Sequence, residues 1–161
     1  MDKCIRCRLG LTRRNIVKGK GKLPNKFLII GEYPSKPDDV LGEPFVGAPG
    51  KLLDVMLSRA GIAIEECYYT LSVLCRPTDK RGGVTRWPKD DEIISCANNI
   101  MEIYDKCNPG NVILVGKIAQ EFYGKVFPGH CKIFGPEWLV KQGGIGCVYF
   151  TDMVQRLRRL T

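Results

Sequence analysis

Long apolar runs are missing from this sequence. None approaches the roughly 18 residues that a membrane span requires, and no apolar segment follows the charges of the N-terminal MDKCIRC as it would in a secretory signal. A soluble, cytoplasmic protein is the expectation. Histidine is almost absent: His130, in FPGHCK, is the only one, and with no partner in the pattern it reads as a bystander. The glycine-lysine-serine/threonine ending of a Walker loop and the dinucleotide-binding fingerprint are both lacking, as are internal repeats and low-complexity segments. What remains is 161 residues, the size of one ordinary domain that buries a core without disulfides, and a monomer is expected.

Charge of one sign is in excess. Lysine and arginine number 25 against 17 acidic residues, a formal charge of +8, with an isoelectric point near 9.1. Such a balance favours a polyanionic partner such as nucleic acid, the plain alternative being solubility alone. Eight cysteines stand at 4, 7, 67, 75, 96, 107, 131 and 147. Cytosolic thiols stay reduced, which argues for metal or redox chemistry at some of them; only Cys4 and Cys7 have an obvious ligand spacing.

Strands and helices alternate. KFLII (26–30), CYYTLSVLC and NVILVG (111–116) read as strands, and GCVYFTD as a fourth. KLLDVMLSRAG, DEIISCANNIMEIYDKC, KIAQEFYGKVF and MVQRLRRL read as helices, with Gly61 a C-terminal stop and Asp90 or Asp91 a start. RRNIVKGKGKLPNK reads as a surface connection and RPTDKRGGVTRWPKD as a polar, basic loop. The expectation is an α/β fold, three layers α/β/α around a central four-stranded, mainly parallel sheet. Ligands of such sheets bind beyond the carboxyl ends of the strands.

One of those ends opens GEYPSKPDDVLGEPFVGAPGKLL, residues 31–53. Gly42, Gly47 and Gly50 let backbone approach something closely, while Pro44 and Pro49 stiffen a loop that presents Phe45 and Val46. A rigid loop holding out an aromatic ring suits a flat ligand; the plain alternative is that Phe45 is a core residue under a long loop.

The order strand, GExP, then GxPFVGxxGxLL resembles the iron–sulfur uracil-DNA glycosylases usually called family 4. The matching residues are Gly31, Glu32, Pro34, Asp38, Asp39, Gly42, Pro44, Phe45, Val46, Gly47, Gly50, Leu52 and Leu53. Cys4 with Cys7, the run Cys75-Arg76-Pro77, Cys96, and Gly116 with Ala119 extend the resemblance over most of the chain. It implies a single domain over 1–161 with an N-terminal cluster-binding segment, and Cys4, Cys7, Cys75 and Cys96 as thiolate ligands of a [4Fe-4S] cluster. Four soft thiolates also suit zinc, but this spacing is unlike a zinc ribbon.

In the resemblance Phe45 is the stacking aromatic and Glu32 the acidic residue near the flipped sugar and the attacking water. Tyr33 crowds or covers the pocket. Leu71 stands where the family has an asparagine that reads the uracil edge, and leucine can neither donate nor accept. Alignment on Tyr149 puts Phe150, Thr151 and Asp152 where the family has a histidine-proline-serine motif. Arg81 and Arg86 of the basic loop and Arg156, Arg158 and Arg159 of the last helix are candidate phosphate contacts, against the plain reading of a solvated basic face. Trp87 could pack or stack.

Two functions follow from the resemblance. One is a DNA-binding protein, single- or double-stranded, whose excision activity is lost or altered, as a replication or repair accessory working with other proteins would require. The other is an active DNA N-glycosylase for uracil or another base, with Glu32 positioning water, Thr151 or Asp152 replacing the lost donor, and Tyr33, Leu71 and Phe150 lining an apolar pocket.

Overall fold

The computed structural model describes residues 3–127 and 129–161. Four strands form one sheet in the order β2-β1-β3-β4: β1 (Phe27–Gly31), β2 (Cys67–Leu71), β3 (Asn111–Val115) and β4 (Cys131–Ile133). All three pairings are parallel, with Phe27 opposite both Cys67 and Asn111, and Ile113 opposite Cys131. The apolar runs of β1 and β2 are buried along their whole length because both faces of the sheet are covered.

Period-two alternation sorts the strand residues between two cores. Phe27, Ile29, Tyr69, Ile113, Val115 and Ile133 face α3 (Ala48–Arg59), α6 (Pro136–Lys141) and α7 (Val148–Arg158). Leu28, Ile30, Tyr68, Val112 and Leu114 face α4 (Asp90–Cys107) and α5 (Lys117–Tyr123). Each fully buried Leu, Ile or Phe contributes roughly 1.5–3 kcal/mol relative to exposure.

The fourth strand is not where the sequence put it. GCVYFTD is β-rich in composition, yet Phe150, Met153, Val154 and Leu157 recur at helical spacing and form the buried stripe of α7. The true β4 is the three-residue CKI, too short and too polar to announce itself. The segment expected as a surface connection also differs: Lys20 and Tyr69 exchange backbone hydrogen bonds at 2.8 and 2.9 Å, and the Val17 amide donates to the Leu74 carbonyl at 2.8 Å. It covers the outer edge of β2, which would otherwise be an open template for pairing.

The chain passes from β1 out to β2 and returns to β3 on the other side of β1. Strand order therefore reverses between β1 and β3, and the crevice at their carboxyl ends is the place where such sheets bind ligands.

Candidate functional site

Glu32, the residue after β1, occupies that crevice. Its Oε1 accepts the Ile118 amide at 3.2 Å, across from the first turn of α5. This close approach depends on Gly116, which has φ +88°; a Cβ there would lie 2.5 Å from the Glu32 carboxyl carbon. Burial pushes the Glu32 pKa above its ordinary value; the Ile118 amide opposes that rise, and the charge of Glu137 adds to it.

The aromatic loop is braced from below. Ser35 caps α2 (Lys36–Leu41) in a reciprocal arrangement with Asp38, and the Asp38 Oδ1 accepts the Val46 amide at 3.0 Å. Asp39 Oδ1 accepts the amides of Arg14 and Asn15 at 2.9 and 3.2 Å, tying the N-terminal segment to the same helix. These acidic anchors make the loop a poor phosphate cradle. Phe45 adopts φ +59°, a strained conformation held by its surroundings. Gly50 allows it, because a Cβ there would collide with the Phe45 carbonyl.

The Phe45 ring lies over Gly31, and the Leu71 Cδ2 is 2.8 Å from the point a Cβ on Gly31 would take. Tyr69 packs edge-on against Phe45 with ring centres 5.9 Å apart. Phe45 is half-buried and Leu71 is only 2% exposed. Phe45 thus belongs partly to the core and partly to the crevice. Tyr33, also half-buried, lies with its ring 6.1 Å from that of Trp87, which the 80s loop supplies.

The residues after β4 complete the crevice, and sequence reasoning missed them. With β4 at 131–133, Phe134-Gly135-Pro136-Glu137 is the run that leaves this strand and enters α6. The Gly-Pro pair after CKI was the available signal. A Cβ on Gly135 would lie 3.5 Å from the Oε2 of both Glu32 and Glu137. Beside it Phe134, Trp138 and Tyr149 form a mutually packed aromatic trio, with centres 4.7 to 5.9 Å apart, each about two-fifths exposed.

Phe150, Thr151 and Asp152 are not part of this arrangement. They lie on α7: Phe150 is buried beneath the Arg59 guanidinium, Thr151 lines a surface hollow with Arg59, Gln155 and Arg158, and Asp152 is paired with Arg156 at 3.0 Å. The helical stripe that overrides the strand reading turns the first of these residues into the core and leaves the other two on the surface.

Cys4, Cys7, Cys75 and Cys96 line a single cavity together with Leu9, Arg13, Val73 and Leu74. The first two come from the N-terminal segment, Cys75 from the loop after β2, and Cys96 from α4. Several N–H groups point at the sulfurs: Arg13 at Cys75 (3.6 Å), and the Leu74 amide and Asn99 at Cys96 (3.4 and 3.7 Å). Burial pushes the Cys75 thiol up to about 12, and Arg13 only partly opposes it. Among the described residues, no three His, Cys, Asp or Glu side chains are gathered closely enough to hold a metal ion. Cys67 and Cys107 are buried as ordinary apolar residues.

The candidate phosphate contacts divide. Arg86 is engaged: its guanidinium binds both oxygens of Glu92 at 2.7 and 2.9 Å and Asp79 at 2.8 Å. Glu92 is fully buried; burial drives its pKa up, but Arg86 and the Lys89 amide outweigh this and hold it below the ordinary carboxylate value. This buried pair fixes the 80s loop to α4, which a composition-based reading of a basic loop does not reveal. Arg81 and Arg159 are exposed, Arg156 is exposed and pairs with Asp152, and Arg158 donates to the Arg59 carbonyl at 3.2 Å. The loop is tied through Glu92 to α4, which packs on the face of the sheet opposite α7.

A three-layer α/β fold here gathers a carboxylate, an aromatic ring and an apolar strand end at its switch point, the place where open α/β sheets hold their ligands. The sequence model of the uracil DNA glycosylase superfamily matches residues 19–158, and the chain belongs to that superfamily. It is 33% identical over 124 residues to a type-4 uracil-DNA glycosylase of Archaeoglobus fulgidus, across 77% of this chain and 60% of that protein. The type-4 uracil-DNA glycosylase of Thermotoga maritima is 34% identical over 123 residues, covering 76% and 62%. That of Saccharolobus solfataricus is 32% identical over 124 residues, covering 76% and 55%. The chain thus spans about three fifths of the length of the curated relatives it matches. Among the described residues no helix is long and apolar enough to cross a membrane.

Proposed function

We propose that this protein binds DNA, takes one extruded base against Phe45, and has lost or altered the excision of uracil. The observation that carries this reading is Leu71, buried at the end of β2 against the same point as the Phe45 ring. The stacking surface is in place, while the neighbouring side chain offers the base no hydrogen bond. Across the crevice Gly135 has no side chain to offer one.

An enzyme that excises uracil must stabilise the negative charge growing on the departing base. Loss of one donor aimed at such charge costs about 2.7–4 kcal/mol, or 100- to 1,000-fold in rate. Two losses need not add, yet either alone places uracil excision far below that of an enzyme with both groups. The test is a panel of single-stranded oligonucleotides carrying uracil, hypoxanthine, xanthine or modified pyrimidines, read for base release and, in parallel, for binding. Tight binding with slow or absent uracil release is the expected result.

A second reading, an active N-glycosylase for another base, is favoured by Glu32. Its carboxylate remains in the crevice, fixed by Ile118, where it can orient water toward a sugar carbon. Asp152 and Thr151 have no part in it.

DNA contact is assigned to Arg81, Arg156, Arg158 and Arg159, with Arg86 in a structural role. The exposed faces of Phe134, Trp138 and Tyr149 offer stacking surfaces to unpaired bases. Cys4, Cys7, Cys75 and Cys96 would hold a [4Fe-4S] cluster: four thiols from three separate segments around one cavity, with N–H donors aimed at two of them, fit thiolate ligation. When bound, it would tie the N-terminal segment to the loop after β2 and to α4. Purified protein should be brown, absorb near about 400 nm and carry iron and sulfide; colourless protein with stoichiometric zinc would refute the cluster.

A further inference from the structure

We propose that Glu137 is a second carboxyl group of the base pocket, sharing one proton with Glu32 across Gly135 and donating a hydrogen bond to the extruded base. This rests on the reading of the crevice as a base pocket. It names a donor for holding the base in a crevice whose usual uracil-reading groups are missing.

Geometry brings the two carboxyl groups together. Both Oε2 atoms lie 3.5 Å from the point a Cβ on Gly135 would occupy, so they are at most about 7 Å apart, twice that distance. Because residue 135 is a glycine, no side chain stands between them. The two come from different elements, Glu32 from the end of β1 and Glu137 from the first turn of α6.

Two carboxylates this close resist both being ionised, and they titrate as a pair. The pKa of Glu137 is raised, by partial burial first and by the charge of Asp38, with its own amide and Lys141 opposing. Glu137 keeps much of its surface in solvent, which tempers the effect. The groups facing the pair are Tyr33, whose own pKa is raised by burial and then by both glutamates, Asp38 from α2, and Lys141 from α6. On the α5 side the charged neighbour, Lys117, is exposed and pairs with Glu121 at 3.7 Å.

Environment decides which partner carries the proton. Glu32 accepts the Ile118 amide, which favours its ionised form; Glu137 shows no such bond from another element. With the pair's proton on Glu137, that carboxyl is an O–H donor in a crevice short of side-chain donors. It would select a base that turns a carbonyl oxygen or an unprotonated ring nitrogen toward α6. Asp38, whose charge acts on Glu137, also holds the Val46 amide of the loop carrying Phe45, so Glu137 and that loop share one acidic neighbour.

The test is a carbon-13 titration of the glutamate carboxyls in the full chain, for the unsubstituted protein, Glu32→Gln and Glu137→Gln, with and without a single-stranded oligonucleotide. Coupling predicts that each substitution lowers the midpoint of the remaining partner by on the order of one pH unit. It also predicts that DNA shifts the Glu137 signal and not that of exposed Glu121. Midpoints unmoved by either substitution would overturn the shared proton whatever the DNA does. Coupled midpoints with no response of Glu137 to an oligonucleotide that binds would overturn the donation. An oligonucleotide that fails to bind at all would overturn the donation together with the DNA reading on which it rests, a failure told apart by the coupling that survives it.

Discussion

The ring of Phe45 lies over Gly31, in the space a Cβ on that glycine would fill. The stacking residue and the end of β1 are therefore one packed unit, and the ring cannot approach the sheet unless residue 31 lacks a side chain. Gly31→Ala should push the ring outward, costing about 1–3 kcal/mol in stability as overpacking does and lowering oligonucleotide affinity by at least tenfold. Melting curves beside fluorescence anisotropy measure the two effects separately.

Arg86 carries a prediction about acid stability. Removing the partner of a buried carboxylate costs about 3–5 kcal/mol, so Arg86→Ala should lower the melting temperature by roughly 6–20 °C in a domain of this size. In the intact protein the folded pKa of Glu92 is below its ordinary 4.5. Its contribution is therefore full above that value and fades as pH falls through the lowered folded value. In Arg86→Ala the unpaired, buried Glu92 should shift upward instead, so this variant gains stability on mild acidification while the parent does not. Thermal melts from about pH 4 to 8 would show slopes of opposite sign.

Leu71 is the position at which base reading should be recoverable. Leu71→Asn restores an amide at the end of β2, and a site that hydrogen-bonds its ligand discriminates far more strongly than an apolar one. Its preference for uracil over cytosine, whose edge reverses donor and acceptor, should rise by at least tenfold in binding or release. Leu71→Ala, which removes volume without adding a donor, should not reproduce this and should cost about 2–5 kcal/mol in stability.

The aromatic trio beside Gly135 predicts a strand preference. Trp138→Ala should weaken single-stranded DNA by about 1–3 kcal/mol, the worth of one stacked base, with little change for duplex. Replacing Arg156 and Arg159 should instead weaken both forms and flatten the dependence on salt, because phosphate contacts act through released counterions. Titrations at several salt concentrations separate the two contributions.

The sequence revealed β1, β2, β3, α3 and α4 because long apolar or amphipathic runs with clear stops encode them. It also singled out Glu32 and Phe45, in a dense motif after β1, and Leu71, at the end of β2, which the fold sets around one crevice, and four cysteines that line one cavity. It misled at the last strand. The side chains of VYF favour a strand locally, but Phe150, Met153, Val154 and Leu157 bury more surface together as a helix, and tertiary packing overrides local preference. That single slip of assignment moved the expected pocket wall to Phe150, Thr151 and Asp152 and hid Gly135 and Glu137. Arg86 was misjudged for another reason: its partner Glu92 lies six residues away, on the helix the loop leads into, and no local pattern marks that pairing.

The central claim is a retained base pocket without its uracil readers, and uracil release under single-turnover conditions tests it most directly. Unsubstituted protein, Glu32→Gln and Leu71→Asn would be compared with a type-4 uracil-DNA glycosylase on the same single-stranded uracil oligonucleotide. The account predicts release at least about 100-fold slower than the reference enzyme, despite measurable binding, with Leu71→Asn moving toward the reference. Release by the unsubstituted protein at a rate comparable to the reference would contradict it.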